Sequence, residues 1–136
     1  MPAIIEWSDK LSVNISLFDN EHKKLIALIN NLHDAMSRGA GHAVLEKMLG
    51  ELADYTVKHF KEEEEAMQKY TFPGLAEHKK EHEAFVSKVA DTQSQYKKGA
   101  ITLTVPVFSF LTSWLQNHIM KMDAGYSDFL IKAGMR

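Results

Sequence analysis

Five histidines and a glutamate stand at positions that the predicted helices would turn toward the centre of one helical bundle. A single inward histidine is usually an ordinary core residue. Five of them with a carboxylate are too costly to bury unpartnered, because each unpaired polar group costs several kcal/mol and a domain is only marginally stable. Metal binding would supply the missing partners. The residues are His22, His59, Glu63, His78, His82 and His118.

The spacing of these residues favours shared metal ions. His59 and Glu63 are four residues apart, as are His78 and His82, and residues i and i+4 of an α-helix differ by only about 40° in direction. Each pair can therefore bind one ion, although either pair alone is weak evidence. Glycines and prolines mark the expected ends of the helices. Counted from these ends, each of the four helices has a candidate ligand within roughly 5–15 Å of the same end of an antiparallel bundle. The sequence thus predicts a single layer of ligands.

The number and type of ligands indicate the metal. A structural zinc ion takes four protein ligands and a catalytic one takes three, so this set exceeds the need of one zinc site. Imidazole and carboxylate together suit iron, and the lack of sulfur ligands disfavours copper(I). Carboxylate-rich di-iron bundles carry Glu-x-x-His on two helices, whereas no histidine here has a glutamate three residues before it. We predict two octahedral ions in a histidine-dominated site that is not ferritin-like.

Long segments without helix breakers would position these ligands. Between the clusters of glycine and proline, apolar residues recur at alternating steps of three and four, which is typical of helices in a bundle. Short connections favour antiparallel neighbours. The predicted fold is all-α, an up-down-up-down four-helix bundle with an N-terminal arm and a short C-terminal fifth helix in one domain spanning 1–136. The predicted ranges are 1–18 for the arm and about 19–38 (capped by Asp19 or Asn20), 42–70, 75–97, 104–122 (capped by Thr104) and 124–132 for the helices.

Composition excludes several classes of protein. The chain has 136 residues, no cysteine and a formal net charge of -2, so we expect no disulfide, no thiolate site and no basic surface for nucleic acid. The N-terminus does not resemble a signal peptide, and no apolar run approaches the roughly 18 residues of a membrane span. We expect a cytoplasmic protein without stable membrane insertion. We also expect a monomer, because a chain of this length buries a sufficient core alone.

Four motifs follow one another along the chain. In this order they resemble the hemerythrin family, specifically its single-domain bacterial members. The resemblance covers nearly the whole sequence, including the arm that carries Trp7. The motifs are Asp19-x-x-His22, His59-Phe60-Lys61-Glu62-Glu63-x-x-x-Met67, His78-x-x-x-His82 and Trp114-Leu115-x-x-His118-Ile119-x-x-x-Asp123.

The resemblance implies a centre of two non-haem iron ions bridged by two carboxylates and an oxo or hydroxo group. It leaves one coordination position open, on the iron with two histidines, where dioxygen would bind. The implied ligands are His22 and His59 for this iron, His78, His82 and His118 for the other, and Glu63 and Asp123 as bridges.

Asp123 enters the ligand set through the resemblance alone. Five residues after His118, it is about 140° away on a regular helix and cannot reach the same ions. We therefore predict that the helix breaks, or opens into a π-turn, across residues 119–123.

The resemblance also implies an apolar pocket around the open position, formed by Leu25, Phe60, Trp114 and Ile119. These side chains would exclude water and anions, since a hydrophobic shell controls solvent access to a metal. Other titratable residues have ordinary interpretations: the glutamates around Glu63 form a solvated helix face, and the two remaining histidines lie outside the ligand layer. Those residues are Glu62, Glu64, Glu65, His33 and His42.

The implied function is reversible dioxygen binding, for storage or for delivery to an oxygen-consuming enzyme. The same centre also suits a di-iron enzyme that reduces peroxide or nitric oxide or oxidises a substrate. An oxygen or redox sensor and an iron-holding protein are two more functions that such a centre could serve. An acid or base in the pocket would favour an enzyme, and the four apolar side chains include none.

Overall fold

Five α-helices make up most of the chain in a computed structural model that describes residues 5–99 and 105–135. The described residues contain no strand, so the predicted all-α bundle with a fifth helix is confirmed. None of the described helices is long and apolar enough to cross a membrane. The helices are α1 (Ser16–Ser37), α2 (His42–Lys69), α3 (Leu75–Lys97), α4 (Val105–Asn117) and α5 (Ala124–Lys132).

The first helix begins three residues earlier than predicted. We expected Asp19 or Asn20 to cap it, but α1 starts at Ser16 and Asp19 lies within its first turn. The Asp19 carboxylate instead accepts hydrogen bonds from Ser12 Oγ at 2.6 Å and from the Val13 N–H at 2.8 Å. The side chain therefore ties the arm to the helix, and residues 16–18 belong to α1 rather than to the arm.

The described part of the arm packs on the bundle. Val13 and Ile15 are buried, and Ser127 Oγ on α5 donates a hydrogen bond to the Val13 carbonyl. Near the start of the described chain, the Asn30 side chain bonds both the N–H and the carbonyl of Ile5, at 3.1 and 2.8 Å. These contacts join the described part of the arm to both α1 and α5.

The fourth predicted helix is not one regular helix. Regular α-helix ends at Asn117, and a six-residue π-helical segment, His118–Asp123, joins α4 to α5. The predicted π-turn across 119–123 is therefore confirmed, although it begins one residue earlier. The predicted cap Thr104 lies outside the described residues. The other helix boundaries fall within one residue of those predicted, and Gly39 follows α1 with a positive φ of 79°, which suits glycine.

Candidate metal centre

Seven side chains from four elements meet inside the bundle. All seven are at most 3% exposed. One comes from near the start of α1 and two each from the second half of α2, the first turns of α3 and the two ends of the π segment. They are His22, His59, Glu63, His78, His82, His118 and Asp123.

The seven residues form two groups. Within each group, the candidate ligand atoms all lie within 4.8 Å of one another. The two-histidine group contains His22 and His59. The three-histidine group contains His78, His82 and His118. Glu63 and Asp123 belong to both groups. Each group can hold one metal ion, and the two shared carboxylates can contact both ions.

The π segment brings Asp123 into this cluster. Wider hydrogen bonding, from i to i+5, accommodates an extra residue per turn, so His118 and Asp123 face the same side. His118 Nε2 lies 3.1 Å from Asp123 Oδ1, and His78 Nε2 lies 2.8 Å from the same oxygen. The other carboxylate oxygen lies 3.1 Å from His22 Nε2. One aspartate thus touches both groups.

Glu63 occupies the equivalent position on α2. Its Oε1 lies 3.3 Å from Nε2 of both His59 and His82, and its Oε2 lies 3.3 Å from His22 Nε2. Tyr126, which is fully buried on α5, donates a hydrogen bond to Oε2. The tyrosine therefore fixes the orientation of the glutamate. No sequence motif marks Tyr126, which lies beyond the last of the four motifs.

The donor set fits metal ions. Glu63 Oε1, His78 Nε2 and both oxygens of Asp123 are buried without a hydrogen-bond partner among the described residues. His78 Nε2 and Asp123 Oδ1 are close enough to pair, but they do not have hydrogen-bond geometry. Buried polar atoms are rarely left unsatisfied, whereas imidazole and carboxylate atoms converging on one point are typical of iron ligands. The cluster therefore has the donor atoms that a metal site requires.

The metal-free cluster balances its charges with protons. Burial lowers the pKa of His22, but Asp123 and Glu63 outweigh burial and raise it to about 9. Burial also lowers the pKa of His59, but Glu63 and Glu21 outweigh burial and raise it to about 10. Burial raises the pKa of both Glu63 and Asp123, but the neighbouring histidines more than offset it and keep both carboxylates ionised. At neutral pH, imidazolium–carboxylate pairs thus occupy the site.

Carboxylates behind the histidines form a second set of contacts that the sequence analysis missed. Glu21, which was not assigned to the site, lies 2.9 Å from His59 Nδ1, and Glu64, assigned to a solvated face, lies 2.8 Å from His82 Nδ1. No periodic signal marks either residue, since each directly neighbours a residue of the inward stripe. Glu21 also raises the pKa of the neighbouring carboxyl group of Glu62.

Two of the four predicted pocket residues contact the clustered histidines. Leu25, Phe60 and Ile119 are buried, and Trp114 is half-buried. Phe60 stacks on His82 at 3.8 Å between ring centroids, and Trp114 stacks on His118 at 4.4 Å. The rings of Phe60 and Trp114 are 5.8 Å apart. These two aromatic side chains form an apolar wall against the three-histidine group, whereas the resemblance implied a pocket around the open position of the two-histidine iron. The Phe60 ring also lies 5.9 Å from the ring of His59, which belongs to the two-histidine group.

The remaining two histidines lie outside the cluster, as predicted. His33 contacts the ring of Phe108 at 5.0 Å, and His42 stacks on Tyr96 at 4.3 Å. Neither belongs to a group of candidate metal ligands among the described residues.

Comparisons with known proteins agree with this architecture of a four-helix bundle around a buried histidine–carboxylate site. Residues 13–130 match the family model described as the hemerythrin HHE cation binding domain. The chain is 37% identical over 126 residues to a bacteriohemerythrin of Pseudomonas aeruginosa (strain LESB58), covering 93% of this chain and 81% of the relative. It is 35% identical over 129 residues to a bacteriohemerythrin of Methylococcus capsulatus, covering 94% of this chain and 98% of the relative. A crystal structure of wild-type hemerythrin superposes with a TM-score of 0.90 at 35% identity, covering 94% of this chain and 98% of that one. The chain belongs to the hemerythrin family.

The raised histidine pKa values predict how stability depends on pH. In the metal-free protein, protonated His22 and His59 stabilise the folded state fully below their unfolded pKa of 6.5. This contribution is lost as the pH rises through about 9 and about 10. We expect the free energy of unfolding to fall by a few kcal/mol across this range, as measured by urea denaturation at a series of pH values.

The zinc-loaded protein is the control. Metal ions compete with protons for imidazole, so stabilisation by zinc should grow over the same pH range. A metal-free protein that gains stability between pH 6.5 and about 9 would contradict the assigned pairing.

Proposed function

We propose that the protein binds dioxygen reversibly at a pair of non-haem iron ions, for storage or for delivery to an oxygen-consuming enzyme. The observation that carries this proposal is the division of seven buried ligands into two groups that share Glu63 and Asp123. A site for a single ion would need only one such group of ligands. Two ferrous ions would supply the two electrons that dioxygen takes up on binding and returns on release.

The proposed ligand assignment follows the two groups. The two-histidine group has fewer protein ligands and therefore leaves its ion open to an external ligand. The family resemblance supports the same division. The assignment is His22 and His59 for one iron, His78, His82 and His118 for the second, and Glu63 and Asp123 as bridges.

The protein groups around the site hold it in place and restrict access by water. Tyr126 orients Glu63 through its hydroxyl, and the π segment fixes Asp123. Phe60 and Trp114 cover the imidazoles of His82 and His118. A dry, apolar wall disfavours charged products and so favours release of neutral dioxygen.

Family membership and the pocket both favour an oxygen binder over an enzyme. The four predicted pocket residues carry no carboxylate, hydroxyl or imidazole that could donate or accept a catalytic proton. They are Leu25, Phe60, Trp114 and Ile119.

Optical spectroscopy tests the function directly. We expect the anaerobic, ferrous-loaded protein to be colourless, to gain a visible absorption band with oxygen, and to lose it under argon. Iron should be counted on the same sample and should reach two ions per chain. Irreversible oxidation on the first exposure to oxygen would overturn the proposal and favour an oxidase, peroxidase or sensor.

Substituting a ligand tests the assignment of the three-histidine group. We expect His118→Ala to lower the iron content to one ion per chain or fewer, because a core imidazole of this group is lost. His33→Ala is the matched control, since His33 lies outside the cluster, and it should retain two ions. Two ions in the His118→Ala protein would remove His118 from the ligand set.

Removing the indole ring of Trp114 tests the role of the apolar wall. We expect Trp114→Ala to retain both ions but to autoxidise about tenfold faster, which corresponds to ~1.4 kcal/mol in the barrier. The reason is that water gains access to His118, on which Trp114 stacks. The lifetime of the oxygenated protein measures the effect. Trp7→Ala, in the arm, is the control, and equal lifetimes for Trp114→Ala and the unmodified protein would contradict the role of the wall.

A further inference from the structure

Three of the clustered histidines have a carboxylate near Nδ1, the ring nitrogen that faces away from the cluster. Glu21 lies 2.9 Å from His59 Nδ1, and Glu64 lies 2.8 Å from His82 Nδ1. The third carboxylate, on Glu81, is 3.6 Å from His118 Nδ1, which is too long for a hydrogen bond. Two histidines therefore have a hydrogen-bonded carboxylate behind them.

The two hydrogen-bonded contacts differ in burial. The Glu21 side chain is 7% exposed, whereas that of Glu64 is 22% exposed. Water screens a carboxylate less when it is buried, so the charge of Glu21 acts more strongly on its partner. Glu21 also lies next to the ligand His22, so α1 contributes both a ligand and a carboxylate that contacts another ligand.

The buried contact belongs to the two-histidine group. His22 Nδ1, the other outward nitrogen in this group, is buried without a hydrogen-bond partner among the described residues. Glu21 is thus the carboxylate that reaches an outward imidazole nitrogen in this half of the site. In the proposed assignment, this half holds the ion with the open position.

We propose that Glu21 is a positioning residue that holds the Nδ1–H tautomer of His59 and strengthens its donation to the metal ion of the two-histidine group. A hydrogen bond from Nδ1–H fixes which nitrogen is free to bind metal, and a carboxylate partner makes that nitrogen a stronger ligand. His59 Nε2 faces the cluster, 3.3 Å from Glu63 Oε1, as this tautomer requires. The inference deepens the proposed function and rests on it.

Two variants of Glu21 separate its charge from its hydrogen bond. Glu21→Gln is nearly isosteric, keeps an acceptor oxygen and removes the charge, whereas Glu21→Ala removes both. Glu64→Gln is the matched control, because it makes the same change behind His82 at a more exposed carboxylate. Circular dichroism of each variant confirms that the fold is retained.

The measurements use zinc ions alone and the complete chain. We expect Glu21→Gln to weaken binding of one of two zinc ions by about tenfold or more, and Glu21→Ala to weaken it further. Glu64→Gln should have a smaller effect. In nuclear magnetic resonance spectra, the Nδ1–H proton of His59 should exchange slowly in the unmodified protein and rapidly in Glu21→Ala.

The iron-loaded protein gives a further readout that a purely structural role would leave unchanged. Removing the charge of Glu21 should move the reduction potential to a more positive value than removing that of Glu64. Equal zinc affinities and potentials for Glu21→Gln and Glu64→Gln would overturn the proposal.

Failure of the proposed function can be told apart from failure of this inference. If the unmodified protein does not bind two metal ions, the di-iron function fails. The exchange rate of the His59 Nδ1–H in the metal-free protein still tests the contact with Glu21. Rapid exchange there in the unmodified protein would overturn the inference whatever metal the site holds.

Discussion

The structure depends on the pairing of two buried carboxylates with five imidazoles. Glu63 and Asp123 are 0% exposed, and an isolated carboxylate in a protein interior is very unfavourable without an opposite charge. Protonated His22 and His59 supply that charge in the metal-free chain, as their raised pKa values show. Metal ions would supply it in the loaded chain. The helices must therefore bring these groups together in either state, and the apolar core completes the bundle around them.

The π segment is the backbone feature that makes this cluster possible. On a regular helix, Asp123 would face away from His118, and the ligand atoms of the cluster would lack one of their shared carboxylates. The segment also sets the direction of α5, which places Tyr126 against Glu63. One local departure from α-helical geometry thus controls the position of one carboxylate and the orientation of the other. π-helical turns frequently occur at functional sites.

The sequence predicted those parts of the site that follow regular helical periodicity. The histidines and Glu63 recur on inward stripes, so their convergence could be anticipated from spacing alone. The position of Asp123 could not be anticipated from spacing, because it depends on a π segment. Only the family motif indicated this residue. Glu21 and Tyr126 carry no periodic signal, since their roles arise from contacts between helices. The start of α1 was misplaced because Asp19 has the side chain of a helix cap, but here that side chain bonds the arm instead.

The two halves of the cluster share their carboxylates but differ in what lies behind their histidines. Aromatic rings cover the three-histidine group, where Phe60 and Trp114 stack on His82 and His118. Each group also has a carboxylate at one Nδ1, but Glu21 at His59 in the two-histidine group is buried, whereas Glu64 at His82 is more exposed. Apolar rings reduce solvent access, whereas a carboxylate increases the electron density that an imidazole donates. In the proposed di-iron site, the stacked rings would keep water from the three-histidine half, while the buried charge of Glu21 would favour electron donation by the ion of the two-histidine group. The asymmetry of the surroundings therefore matches the asymmetry of the ligand set.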